Sequence, residues 1–261
     1  PDLEGAYLRA TIRRADAAAV HRYLDANGIA KPARELRYQW SLELVRRGDH
    51  RAYLDIYDTF YDELGIARLD CLALQSKLAL GQSAGVAKSA RQLWRVGRSQ
   101  VDECDPVFDW MRDRHLLTTA DYDDRFALAL EAREFRLARW LARQLDPAKL
   151  ALATTWLSAQ SDPARYLRKG DDAANPGWRA DRLAYAAEQL TYADPLLAES
   201  LWKALPPDAI GDPAVRHRVE RHIALWTARD RLPGARTRLD ALPAGAVDAE
   251  VLRWRARTAL E

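Results

Sequence analysis

Apolar residues recur at spacings of three and four along almost the whole chain, while the alternating Val, Ile and Thr runs of β-strands are missing. This periodicity leaves little room for anything but helix. Leu36, Trp40, Leu44 and Val45 make one apolar stripe; Tyr53, Ile56, Tyr57 and Phe60 make the next; Leu69, Leu72, Leu78 and Leu80 belong to a third. Breaks fall at Gly48-Asp49, Gly65, Gly81, Gly97, Pro106 and Pro243, and at Asp146-Pro147, Asp162-Pro163, Asn175-Pro176, Asp194-Pro195 and Asp212-Pro213. Asp before Pro predicts a helix start: the carboxylate caps free amides, and Pro at the first helical position lacks an N–H that would be unpaired anyway.

Counting between breaks gives about fifteen helices joined by short turns, which favours antiparallel neighbours. A degenerate repeat runs through them: LVRRGDHRAY from Leu44, LGQSAGVAKSA from Leu80, LALEAREFRLARW from Leu128 and LWTARDRLPGAR from Leu225. Each joins a helix ending in Leu to a second carrying Ala through a small or polar turn. Such pairs cannot bury their faces singly, so they are expected to stack. The spacing is irregular, roughly 35 to 50 residues, and the Trp and Pro signature of tetratricopeptide repeats is absent. The expected fold is all-α, a right-handed superhelix of irregular antiparallel helix pairs, with residues 1–261 as one domain. The loosest stretch, Arg168 to Trp178, reads as a mobile loop within it. The segment from Ala249 to Glu261 reads as the first helix of a further pair, so the natural protein is expected to continue.

The chain's 261 residues, 48% of them hydrophobic, suffice for a proper core. Its 40 Lys and Arg against 38 Asp and Glu give a formal charge of +2, with the signs mixed as in Arg229-Asp230-Arg231. That balance argues against nucleic acid, which calls for a basic stripe with few acids. No stretch approaches the ~20 apolar residues of a membrane span. The chain opens on Pro1 rather than Met, compatible with a removed export signal. Cys71 and Cys104 are either two buried thiols or one disulfide.

Motifs that carry chemistry are scarce. There is no Gly-x-Ser-x-Gly elbow, no glycine-rich nucleotide loop and no His-Glu-x-x-His pair. His21, His50, His115, His217 and His222 read as surface or capping residues, and no metal or cofactor is expected. The runs Asp121-Tyr122-Asp123-Asp124 and Asp102-Glu103-Cys104-Asp105 read as negative charge at helix N-termini rather than as catalytic pairs. Trp40, Trp94, Trp110, Trp140, Trp156, Trp202, Trp226 and Trp254 stand among Leu and Ala at helical spacing and read as core, whereas Trp178 is the candidate for an exposed ring.

One stretch, LWRVGRSQVDECDPVFDW from Leu93 to Trp110, resembles the soluble lytic murein transglycosylases of Gram-negative bacteria. In their long N-terminal region a helix ends in Leu-Trp, followed by a Gly-basic-Ser-Gln turn, a Cys-Asp pair and a helix bearing Phe. Leu93, Trp94, Gly97, Arg98, Ser99, Gln100, Cys104, Asp105 and Phe108 match that pattern. Pro32-Ala33-Arg34 with the helix closing at Glu43 to Arg47 resembles the same region, and Cys71 falls where a partner cysteine is expected. The similarity spans about residues 30 to 145 and returns from His222 to Glu261. It implies a periplasmic enzyme that cleaves the bond between N-acetylmuramic acid and N-acetylglucosamine in peptidoglycan, leaving 1,6-anhydromuramoyl ends. It also implies a disulfide between Cys71 and Cys104, and a structural part for Trp94, Gly97, Ser99, Gln100, Asp105 and Phe108.

In these enzymes a glutamic acid of a C-terminal lysozyme-like domain protonates the leaving oxygen, then acts as base while the sugar's own 6-hydroxyl closes the ring. That domain carries a Glu-Ser pair followed by Gly-Leu-Met-Gln. Here the sole methionine is Met111, and Glu199-Ser200 lies on an apparent amphipathic helix with no glycine-rich sequel. The expectation is therefore a non-catalytic, glycan-holding part of such an enzyme, with peptidoglycan strands and its own linker and catalytic domains as partners. The alternative is a helical-repeat adaptor that binds proteins and no glycan.

Overall fold

A computed structural model describes residues 2–170 and 178–260. Most of the loop expected over Arg168 to Trp178, with Asn175-Pro176 in it, lies outside the described residues. Sixteen α-helices and no strand are found among those described: α1 Asp2–Ala10, α2 Ala17–Asn27, α3 Lys31–Arg46, α4 His50–Phe60, α5 Ala67–Ala79, α6 Val86–Trp94, α7 Asp105–Asp113, α8 Thr119–Glu131, α9 Phe135–Ala142, α10 Pro147–Ser161, α11 Pro163–Lys169, α12 Arg179–Thr191, α13 Pro195–Lys203, α14 Pro213–Arg229, α15 Ala235–Asp240 and α16 Ala249–Thr258. The fold is all-α, as the periodicity predicts. No described helix is long and apolar enough to cross a membrane.

The helix starts follow the caps read from the sequence. Asp146, Asp162, Asp194 and Asp212 each accept a hydrogen bond from a first-turn amide, at 2.9, 3.0, 2.9 and 2.8 Å, with Pro in the first turn. The helix ends explain the degenerate repeat. At Gly48, Gly81, Arg133 and Arg231 the backbone enters the left-handed region, at φ of 78°, 75°, 59° and 53°. In each case that residue's N–H bonds back to the carbonyl three residues earlier, and the next N–H bonds to the carbonyl five earlier. This is the Schellman arrangement, which satisfies carbonyls orphaned at a helix C-terminus. All four repeat segments contain it. A fifth instance, at His115 with φ 52°, lies outside them. The repeat is thus a shared way of stopping one helix and starting the next, and the residue at its pivot is free to vary.

The chain forms two compact units, Pro1–Leu128 and Ala129–Glu261. In the first, Val20, Leu36, Trp40, Tyr53 and Leu69 build one core, and Leu74, Val86, Ala90, Val107 and Met111 build another. In the second, Phe135, Trp156, Leu183, Ala187 and Trp202 head the larger core, with Ala224, Leu225, Leu239 and Val251 forming a smaller one. Helices contact their sequence neighbours and next neighbours, α3 on α4, α4 on α5, α12 on both α13 and α14. This short-range pattern is that of stacked helix pairs.

Trp40, Trp94, Trp156 and Trp202 are buried, and Trp178 is half exposed. Trp140 is 37% exposed, so its assignment to the core is corrected. Phe135 and Ala138 supply the buried face of α9, and the ring of Trp140 falls outside it.

Candidate functional site: a disulfide-braced block and a charged cleft

The residues singled out around Leu93 to Trp110 lie on α6, α7 and the link between them. Trp94 is the last residue of α6, its Nε1 donates to the Asp121 carbonyl at 3.1 Å, and its ring meets Phe108 and Tyr122 edge-on at 5.1 and 5.4 Å. The buried Arg125 guanidinium lies 4.2 Å from the Trp94 ring centre, and its Nη2 donates to the Arg98 carbonyl at 3.2 Å. Burial, helped by Arg112, pushes the pKa of Arg125 down to about 10, which leaves it charged at neutral pH. A desolvated cation on an indole face is worth about 2 kcal/mol.

Gln100 closes the other side of the link, donating from Nε2 to the Leu93 carbonyl at 2.8 Å. Cys104 follows, bonded to Cys71 on α5 with Cα atoms 4.9 Å apart. Gln75 to the Glu103 carbonyl at 2.5 Å and Arg68 to the Glu103 carboxylate at 2.6 Å run beside that bond. Trp94, Gln100 and Phe108 are thereby brought into one braced block, whereas Gly97 is partly exposed and Ser99 and Asp105 are exposed on its rim.

The carboxylates divide by environment. Asp121 makes a capping box with Thr118, accepting from Thr118 N and Oγ1 at 2.9 and 2.8 Å while Thr118 Oγ1 accepts from Asp121 N at 3.2 Å. Burial pulls the Asp121 pKa up, but Thr118 and Arg91 outweigh it and hold the carboxyl below its usual range. Glu43 on α3 is buried, and Arg46, then Arg47, bring its pKa to about 2 against the opposing effect of burial. Asp70 is pushed up by burial, although the Tyr57 hydroxyl donates to it at 2.9 Å. No group of three or more His, Cys, Asp or Glu among the described residues could hold a metal ion.

Glu199 of the Glu199-Ser200 pair lines a cleft of ≈ 560 Å³ within the second unit. Three helices turn one face each toward it: Glu199, Trp202 and Lys203 from α13; Glu220, Ile223 and Ala224 from α14; Thr237, Arg238 and Ala241 at α15. Spacings of three and four residues within each set are what place it on a single face. Arg238 donates from Nε to Glu199 Oε2 at 2.7 Å, and Lys203 to Oε1 at 2.7 Å.

Gly234 lets Arg238 lie where it does. Its φ is +76°, and a Cβ there would stand 2.7 Å from Arg238 Nη1. Burial alone would raise the Glu199 pKa, but Arg238 and Lys203 prevail and keep it below the ordinary value. A general acid needs a proton near neutral pH, and the two cations beside Glu199 work against one there. Sequence reading found Glu199 but missed Glu220, Arg238 and Gly234. The signal available was their helical spacing on three separate helices.

These features define an all-helical, disulfide-braced protein of stacked helix pairs. The chain is a relative of the soluble lytic murein transglycosylases. That of Salmonella typhimurium is 28% identical over 167 residues, 64% of this chain and 25% of the relative. Among solved structures, an inactive mutant of the lytic transglycosylase Slt from Pseudomonas aeruginosa is 28% identical with a TM-score of 0.52, covering 98% of this chain and 41% of that one. The 70 kDa soluble lytic transglycosylase of Escherichia coli shares the fold at 22% identity and a TM-score of 0.58, over 99% of this chain and 39% of that one. The chain spans a quarter of the length of the curated relatives it matches. No protein-family model matches the sequence.

Proposed function

We propose that this chain is the helical, non-catalytic part of a periplasmic peptidoglycan lytic transglycosylase, and that it holds or positions glycan strands. The observation that carries the reading is coverage: nearly all of this chain aligns with about two fifths of each solved lytic transglycosylase. The linker and catalytic domains would lie on polypeptide outside these 261 residues. There the bond between N-acetylmuramic acid and N-acetylglucosamine would be cut, with the sugar's 6-hydroxyl rather than water closing the anhydro ring.

Two features support the reading. The braced disulfide suits an oxidising compartment such as the periplasm. Glu199, the carboxylate with the family's Glu-Ser sequence, is tied up by Arg238 and Lys203. The part played by these helices is then to position the polymer, binding energy remote from the cut being used to orient it.

Incubation with purified peptidoglycan sacculi tests both halves. The protein is expected to sediment with the sacculi and to release no anhydro-muropeptides. Anhydro-muropeptides released by the pure chain would overturn the placement of catalysis, and protein left wholly in the supernatant would overturn glycan holding.

A further inference from the structure

The cleft between α13, α14 and α15 contains two carboxylates in opposite conditions. Glu199 is satisfied twice over by Arg238 and Lys203. Glu220, half-buried and lining the same cleft from α14, has no ion-pair or hydrogen-bond partner for its carboxylate among the described residues. Trp202, 1% exposed and part of the lining, has a buried indole N–H without a partner.

The lining carries both signs of charge. One carboxylate shared by two cations leaves a local excess of one positive charge beside Glu199, while Glu220 supplies one negative charge. The same lining includes aliphatic side chains, from Ile223, Ala224 and Leu242. A pocket with a few convergent polar groups on apolar walls, at this volume, is of the size that takes a small ligand.

We propose that this cleft binds a dipolar, lysine-type ligand: a short aliphatic chain with a primary ammonium at one end and a carboxylate at the other. The ammonium pairs with Glu220, the methylenes lie along Ile223 and Leu242, and the carboxylate meets the cationic side at Lys203 and Arg238. This inference rests on no part of the glycan reading, so either can fail without the other.

The test is an NMR titration of the ¹⁵N-labelled chain with Nα-acetyl-L-lysine, which carries both the ε-ammonium and a free carboxylate. Saturable shifts of α13, α14 and α15 amides at millimolar probe are expected. Affinity should be roughly tenfold weaker in Glu220→Gln, as for loss of a charge-assisted hydrogen bond. Nα,Nε-diacetyl-lysine, which lacks the ammonium, should be weakened alike on the unsubstituted chain, so the test stands even if the variant folds poorly. No saturable shift in these helices, or equal binding of the two probes, would overturn the proposal.

Discussion

Gly48 and His115 occupy the same place in two Schellman turns, with φ of 78° and 52°, and they differ only in the presence of a side chain. Nothing lies within 4 Å of where a Cβ on Gly48 would stand, and His115 is exposed, so substitution at either position leaves packing alone and tests the backbone by itself. A side chain held in the left-handed region costs about 1 to 2 kcal/mol. Glycine forfeits roughly 0.4 to 1 kcal/mol of that through the greater freedom of its unfolded chain. Gly48→Ala should therefore destabilise by about 1 kcal/mol, and His115→Gly should stabilise by about 0.5 to 1 kcal/mol. Both positions lie in the first unit, so one urea titration followed by far-ultraviolet circular dichroism reads both as opposite displacements of the same midpoint at unchanged slope. In thermal melts the shift should be roughly 2 to 4 °C per kcal/mol. If both variants moved the midpoint in the same direction, or neither moved it, the account of the repeat as a left-handed pivot would be wrong.

Four further outcomes follow from the contacts. Replacing Cys71 and Cys104 together by Ala opens a loop of 33 residues and should cost roughly 3 to 4 kcal/mol; a loss under about 1 kcal/mol would sink the brace, as would free thiol found on titrating the unfolded, unreduced protein. Because the folded pKa of Glu43 is about 2, below its ordinary 4.5, its stabilisation is present above pH 4.5 and lost as pH falls toward 2. Glu43→Gln should cost about 1 to 3 kcal/mol at pH 7 and flatten the stability profile in that window, and an unaltered acid limb would refute the assignment. Gly234→Ala strains a left-handed residue and presses on Arg238 Nη1, so melting should fall by the equivalent of about 1 to 2 kcal/mol, and an unchanged melt would refute the strain. In Arg238→Gln the Glu199 carboxyl, followed by ¹³C NMR, should titrate at higher pH; an unmoved titration would mean that Arg238 does not hold it.

The positions where sequence reading and structure meet are governed by local chemistry. Asp146, Asp162, Asp194 and Asp212 cap the helices they precede because capping involves only the next two or three residues. The four repeat segments were visible as segments, but their common element is a backbone conformation shared by Gly and Arg alike, which residue identity does not display. The residues themselves left Cys71 and Cys104 open between two thiols and one bond, and only the family resemblance proposed the bond that the structure contains. Trp140 was misplaced because a stripe of apolar residues says which face of a helix is buried but not where that face ends.

Periodicity, caps and helix stops are properties of neighbouring residues, and they were enough to determine an all-helical chain of short pairs. The lowering of the Glu199 pKa comes first from Arg238, 39 residues away and on another helix. The unpartnered state of Glu220 was decided in the same way, by what packing failed to bring near it. A carboxylate's protonation depends on the charges and solvent within a few ångströms, and in a helical stack those neighbours are chosen by tertiary packing.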